Sequence, residues 1–222
     1  MKRLVYVLFL VSTITLAQEK VTMNLGDFHS VKTYRGLQVE LIKSDSPKVV
    51  IEGDKASDVT VKNTNGLLKI SLSITHTFSA DDVMVYLYYS KDIDLLDANE
   101  GSHIFSDEIF KQEKITVKAQ EAAHVTLELD TDQLDVSVVT GGLITLKGTS
   151  KNQNVKSNTG GIYKGQQLET GYTKVTSNTG GTADVKASDL VDASANTGGI
   201  VTVIGEPAEL KKSESLGGYV RQ

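Results

Sequence analysis

His103 and His124 have residue types and a spacing that could do chemistry together: they stand 21 residues apart, at the same place in two consecutive copies of a repeat. If the copies stack, the two imidazoles share one outer face. Two imidazoles alone are an incomplete zinc site, and the same place in later copies holds Leu143, Ile162, Thr182, Ile200 and Tyr219, none of them a strong third ligand. The pair therefore reads first as part of a recognition surface, with zinc as the alternative.

Carboxylates gather at Asp81-Asp82, at Asp92, Asp94 and Asp97, and at Asp130, Asp132 and Asp135. Solenoid polysaccharide lyases and hydrolases collect such groups across neighbouring turns, to hold calcium or to act as acid and base. Here the acids of one column are not adjacent. The Asp130, Asp132, Asp135 run lacks the EF-hand ligand pattern, so a solvated turn is preferred to a calcium loop. There is no cysteine and no Gly-x-Ser-x-Gly elbow, which removes thiolate chemistry and the hydrolase nucleophile. No catalytic residue, metal ligand or cofactor site is assigned. Five tyrosines, Tyr86, Tyr88, Tyr163, Tyr172 and Tyr219, read as outward aromatics that could stack on sugar rings or anchor a protein. With the histidine pair, Tyr163 and Tyr172 are the candidate recognition residues.

What must position these groups is a repeat. Asn158-Thr159-Gly160-Gly161, Asn178-Thr179-Gly180-Gly181 and Asn196-Thr197-Gly198-Gly199 are its sharpest copies, extended by Thr140-Gly141-Gly142 and Leu216-Gly217-Gly218 and echoed by Glu100-Gly101-Ser102 and Glu121-Ala122-Ala123. Successive copies start 21, 19, 19, 20, 18 and 19 residues apart. So narrow a spread around a fixed turn predicts a solenoid.

Aligned on the first glycine, the residues five and three before it (Val155 and Ser157, for example) and three and five after it (Ile144 and Leu146) have strand spacing and face inward. That inward column also contains Tyr163. The glycine pair is then a corner between two short strands, with a third strand per turn ending near Ile115, Leu134, Leu168, Leu190 and Leu210. Glycine suits the corner because it adopts the required backbone angles and lets adjacent turns approach, and stacked asparagines can bond amide to amide. A glycine-lined phosphate cradle is the lesser reading, since no Gly-Lys-Ser/Thr accompanies it.

The fold class is therefore all-β, a parallel β-helix over residues 95–222, preceded by irregular strands over 18–94 that cap it, with 18–222 as one domain. Within the cap, Asn65-Gly66 predicts a two-residue hairpin turn, and residues 73–82 a polar connection. Residues 1–17 read as an export signal: Lys2 and Arg3, an apolar core, then Thr15-Leu16-Ala17. Its removal leaves 21 basic against 28 acidic residues, formally −7, a balance against nucleic acid and anionic lipid as partners. No later run is long and apolar enough to span a bilayer.

The chain resembles the putative auto-transporter adhesin, head GIN domain family. The residues that carry the likeness are Asp27-Phe28-His29-Ser30-Val31, Val49-Val50-Ile51-Glu52-Gly53, Asn65-Gly66-Leu67-Leu68-Lys69-Ile70, Glu100-Gly101-Ser102-His103-Ile104, Val203-Ile204-Gly205-Glu206-Pro207, Lys211-Lys212-Ser213 and Gly217-Gly218. The resemblance implies a right-handed parallel β-helix-like domain at the cell envelope, with adhesion as its proposed role and no catalytic residues. The expectation is an exported, non-enzymatic module, in the periplasm, on the cell surface or outside the cell, that binds a surface glycan or an envelope protein. A polysaccharide lyase or hydrolase, and a structural component assembling through the solenoid ends, are the alternatives.

Overall fold

The structure, a computed structural model, describes residues 19–73 and 83–222. The export signal, Asp81-Asp82 and all but Ser73 of the polar connection lie outside them. Eight short strands come first: β1 (Lys20–Asn24), β2 (Ser30–Thr33), β3 (Gln38–Lys43), β4 (Lys48–Glu52), β5 (Val59–Thr64), β6 (Leu67–Leu72), β7 (Met84–Tyr89) and β8 (Leu95–Ala98). Five long ones follow, β9 (His103–Ala119), β10 (His124–Val139), β11 (Leu143–Asn158), β12 (Ile162–Ser177) and β13 (Thr182–Asn196), then β14 (Ile200–Ile204), β15 (Glu209–Ser215) and β16 (Tyr219–Arg221). They build a β-solenoid of about seven turns at a spacing of roughly 19 residues.

Each turn differs from the three short strands expected. From β9 to β13 one strand of 15 to 17 residues runs from corner to corner and bends without leaving the parallel ladder. The bend shows as a slip in alternation. In β10 the inward set Val125, Leu127, Leu129 and Thr131 gives way to Leu134, Val136 and Val138, with Asp132 and Gln133 both turned out. Register shifts absorb the unequal lengths of the turns. The expected third column consequently divides. Ile115, Leu134, Gln153, Thr173, Val191 and Leu210 form one row, Leu168 belongs with Phe110, Leu129 and Gly148, and Leu190 pairs with Tyr172.

The glycine corners are two-residue turns of the mirror-image type. Thr159 at φ 51° and Gly160 at φ 70° take the two left-handed positions, and the Gly161 N–H closes the turn on the Asn158 carbonyl at 3.0 Å. Gly180 and Gly198 hold the same place at φ 70° and 71°, while Gly181 and Gly199 close on Asn178 and Asn196 at 2.9 Å. Threonine in such a region costs roughly 1 kcal/mol. Stacking offsets this, because the Gly160 N–H donates to the Thr179 carbonyl of the next corner at 3.1 Å, and the pattern repeats along the column. The side-chain ladder forms at its later steps: Asn196 Nδ2 donates to Asn178 Oδ1 at 2.9 Å, and Ser215 Oγ donates to Asn196 Oδ1.

One corner lies outside the sequence period. Arg35 and Gly36 adopt φ 62° and 70°, and the Gly36 N–H donates to the Glu100 carbonyl at 2.9 Å. Strands β2 and β3 thus make a turn of the coil stacked on β8 and β9. Beyond it β6 adds to β2 and β7 to β3 in parallel, and the antiparallel strands β5, β4 and β1 lie outermost at this end. The Asn65-Gly66 turn joins β5 and β6 as expected, at φ 51° and 81°.

Candidate functional site

Halfway round each turn, opposite the glycine corners in the strand order, the bend turns polar side chains outward in consecutive strands. They line a trough of about 610 Å³ over β10 to β13. In-register pairing sets its walls. Asp130, Thr149 and Glu169 form one row, Asn152 and Tyr172 the other, and Thr131, Ser150 and Thr170 lie buried between them. Asp132, Lys151 and Gly171 lie along the bend, and Ser188-Asp189 closes the far end. Tyr172 stands 52% exposed.

Beneath the trough is a buried polar cluster. Gln153 Nε2 donates to the Tyr163 hydroxyl, Thr173 Oγ1 donates to Gln153 Oε1 at 3.1 Å, and the hydroxyls of Thr173 and Thr170 lie 2.7 Å apart. Tyr163 is therefore not the outward aromatic proposed for surface recognition. Its ring is 1% exposed, and burial pushes its phenol up from the ordinary tyrosine range. The inward column decides its place, and Gly165, two residues on, leaves room for the ring: a Cβ there would lie 2.6 Å from it.

The acidic runs do not converge on a cation. Asp130 faces Lys111 at 3.6 Å, Asp132 faces Lys151 at 2.8 Å, and Asp135 faces Lys114 at 3.7 Å while accepting Asn154 Nδ2 at 3.1 Å. Among the described residues no three histidines or carboxylates are grouped to hold a metal. Asp97 is a buried carboxylate held by Lys32 at 2.9 Å and by the amides of Asn99 and Gln120.

His103 and His124 pair in register, with ring centroids 5.9 Å apart and edge-on. Both His103 nitrogens are engaged, Nδ1 with Gln38 Oε1 at 3.2 Å and Nε2 with the Thr126 hydroxyl at 3.3 Å. Since the amide oxygen only accepts, Nδ1 donates to it, and in the neutral ring Nε2 then accepts from the Thr126 hydroxyl. Burial first, and the neighbouring His124 second, lower its pKa from 6.5. A base that titrates lower folded than unfolded contributes stability that is complete above the unfolded value and is lost as pH falls through the folded one. Urea midpoints are thus expected to fall on acidification from about pH 6.5. His103→Gln should flatten that slope, and an unchanged slope would place the titration elsewhere.

The row that contains this pair passes through Met84 and Gln38 before it and runs on through Leu143, Ile162, Thr182, Ile200 and Tyr219. Tyr86 and Tyr88 are half-buried, with the Lys48 ammonium 4.4 Å from the Tyr88 ring centroid. Sequence reasoning reached Asp130, Asp132 and Tyr172 but missed Thr149, Ser150, Lys151, Asn152, Glu169, Gly171, Ser188 and Asp189. The available signal was polar residues recurring midway between glycine corners.

The class of the domain follows from its β-solenoid and from comparison with known proteins. The chain belongs to the putative auto-transporter adhesin, head GIN domain family, whose model matches residues 27–207. A solved structure from Bacteroides fragilis, described as a putative adhesin, matches at TM-score 0.84 and 14% identity over 93% of this chain and 97% of its own. A putative adhesin from Parabacteroides merdae and a protein of Parabacteroides distasonis described as putative lipid binding match at 0.67 and 0.69, each 16% identical over 93% of this chain and 96% of theirs. At such identities the likeness shows the fold. No curated protein matches significantly.

Proposed function

We propose that this is an exported, non-enzymatic adhesin-type module that binds a surface glycan along the trough. The observation that carries the reading is the row of Asn152 and exposed Tyr172 facing Asp130, Thr149 and Glu169. An aromatic face stacks on the apolar face of a sugar ring, while planar amides and carboxylates take its hydroxyls. Successive strands set polar side chains in both rows about every 4.8 Å, which suits a polymer.

The same carboxylates argue against hydrolysis. A glycosidase holds one carboxyl protonated in apolar surroundings, whereas Asp130, Asp132 and Glu169 each face a lysine in solvent and Asp189 is solvent-exposed beside the Ser188 hydroxyl. A glycan array followed by calorimetry is expected to return binding that Tyr172→Ala weakens roughly tenfold with the fold intact. An array with no hit would sink the reading. The second reading, an envelope protein on the face that carries the His103–His124 row, is favoured by exposed Ile162 and Tyr219. It would prevail if a partner were captured whose affinity falls with Ile162→Asp and not with Tyr172→Ala.

A further inference from the structure

We propose that the sugar chain bound in the trough carries free amino groups, one ammonium sitting between Asp189 and the ring of Tyr172; the inference rests on the glycan reading above. The trough is lined by four carboxylates, Asp130, Asp132, Glu169 and Asp189. Three of them already face a lysine: Asp130 meets Lys111, Asp132 meets Lys151, and Glu169 meets Lys186 at 2.5 Å. Asp189 is the exception. Among the described residues no cation pairs with it, and its Oδ1 accepts the hydroxyl of adjacent Ser188 at 2.9 Å.

The backbone places that carboxylate. Between the pairs Thr170↔Ala187 and Tyr172↔Leu190, β12 has one residue, Gly171, where β13 has two, Ser188 and Asp189. The extra residue is a bulge, and bulges re-aim side chains. Asp189 is turned over Gly171, where a Cβ would stand 3.5 Å from Asp189 Oδ2 and 3.0 Å from the Lys151 carbonyl oxygen. The floor is therefore bare beneath the carboxylate, and the next residue along the chain is the exposed tyrosine.

Charge then sorts the ligands. An ammonium gains a charge-assisted hydrogen bond from Asp189 and the attraction of the tyrosine face. A neutral, acetylated amine keeps the stacking and gains neither. A uronate or sulfate meets the carboxylate of Asp189, unpaired among the described residues, and has to take Lys151 from Asp132 to find a cation lining the trough.

The test is calorimetry on the purified chain with glucosamine oligosaccharides, their N-acetylated counterparts and oligogalacturonate. It is run in near-physiological salt at about pH 5, above the aspartate range and below that of an amine. The amino form is expected to bind about tenfold tighter than the acetylated form, with the uronate weakest. Asp189→Asn should abolish the preference, so that the amino and acetylated forms bind the variant equally. Equal binding of the two forms, tightest binding by the uronate, or a preference that survives Asp189→Asn and so reflects net charge alone would overturn the inference. Oligolysine binding as tightly as the amino sugar would also overturn it, in favour of a basic peptide. If none of the three oligosaccharides binds, the glycan reading itself falls and takes this inference with it.

Discussion

Replacing Gly199 with alanine is expected to destabilise the domain by about 3 kcal/mol, and the same change at Gly198 by only about 1 kcal/mol. The two glycines of a corner serve different needs. Gly198 has φ +71° and open space around it, so a side chain there meets backbone strain and nothing else. A Cβ at Gly199 would stand 2.2 Å from the carbonyl oxygen of Ser177 in the preceding turn, too close for either ladder strand to yield without breaking its pairing. The corresponding distances are 2.4 Å at Gly161 and 2.6 Å at Gly181, so the effect should recur along the column. Urea denaturation of the two single variants checks it. Equal losses would mean that the pair is there for turn conformation alone. The two earliest repeat corners differ: Ala122 stands in the first-glycine position at φ 60°, and buried Ser102 and Ala123 stand in the second, so the backbone clash belongs to the later corners that carry glycine there.

That distinction marks how far the sequence could be read. Glycine is the residue that a left-handed turn or a backbone contact demands, so the corners announce themselves and the coil follows from their period. The Arg35-Gly36 corner does not, because its spatial neighbour Gly101 is 65 residues away in the chain and the intervening strands β4 to β8 occupy other places in the stack. Periodicity registers only turns that are consecutive in sequence. The trough was hidden for a different reason. Thr149, Lys151, Asn152 and Asp189 look like any solvated turn, and whether they converge depends on the shift that sets two residues of β13 against Gly171. A one-residue slip re-aims a side chain without leaving a compositional trace. Tyr163 shows the converse, since its column predicted burial and its residue type suggested exposure. The column was the better guide because alternation binds every residue of a paired strand.

The largest coupled effect is expected at Tyr163 and Gly165. In the turn before, the same two inward places hold Ile144 and Leu146, both buried. Here a tyrosine ring and an empty glycine site share that volume. Gly165→Leu alone drives a side chain into a ring that a Cβ would already meet at 2.6 Å, and should cost about 3 kcal/mol. Tyr163→Ile alone leaves a cavity and takes from Gln153 Nε2 its hydroxyl acceptor, again about 3 kcal/mol. Made together, the changes recreate the pattern of the preceding turn, with the unpaired amide as the remaining defect. The double variant should therefore be more stable than either single one, a departure from additivity of about 3 kcal/mol or more by denaturant titration. Losses that simply add would show that the glycine is not there to house the ring. The double variant also bears on the trough. Tyr163 reaches the lining residue Thr170 through Gln153 and Thr173, so ligand affinity that survives the exchange would mean that the walls hold their geometry without the polar cluster beneath them.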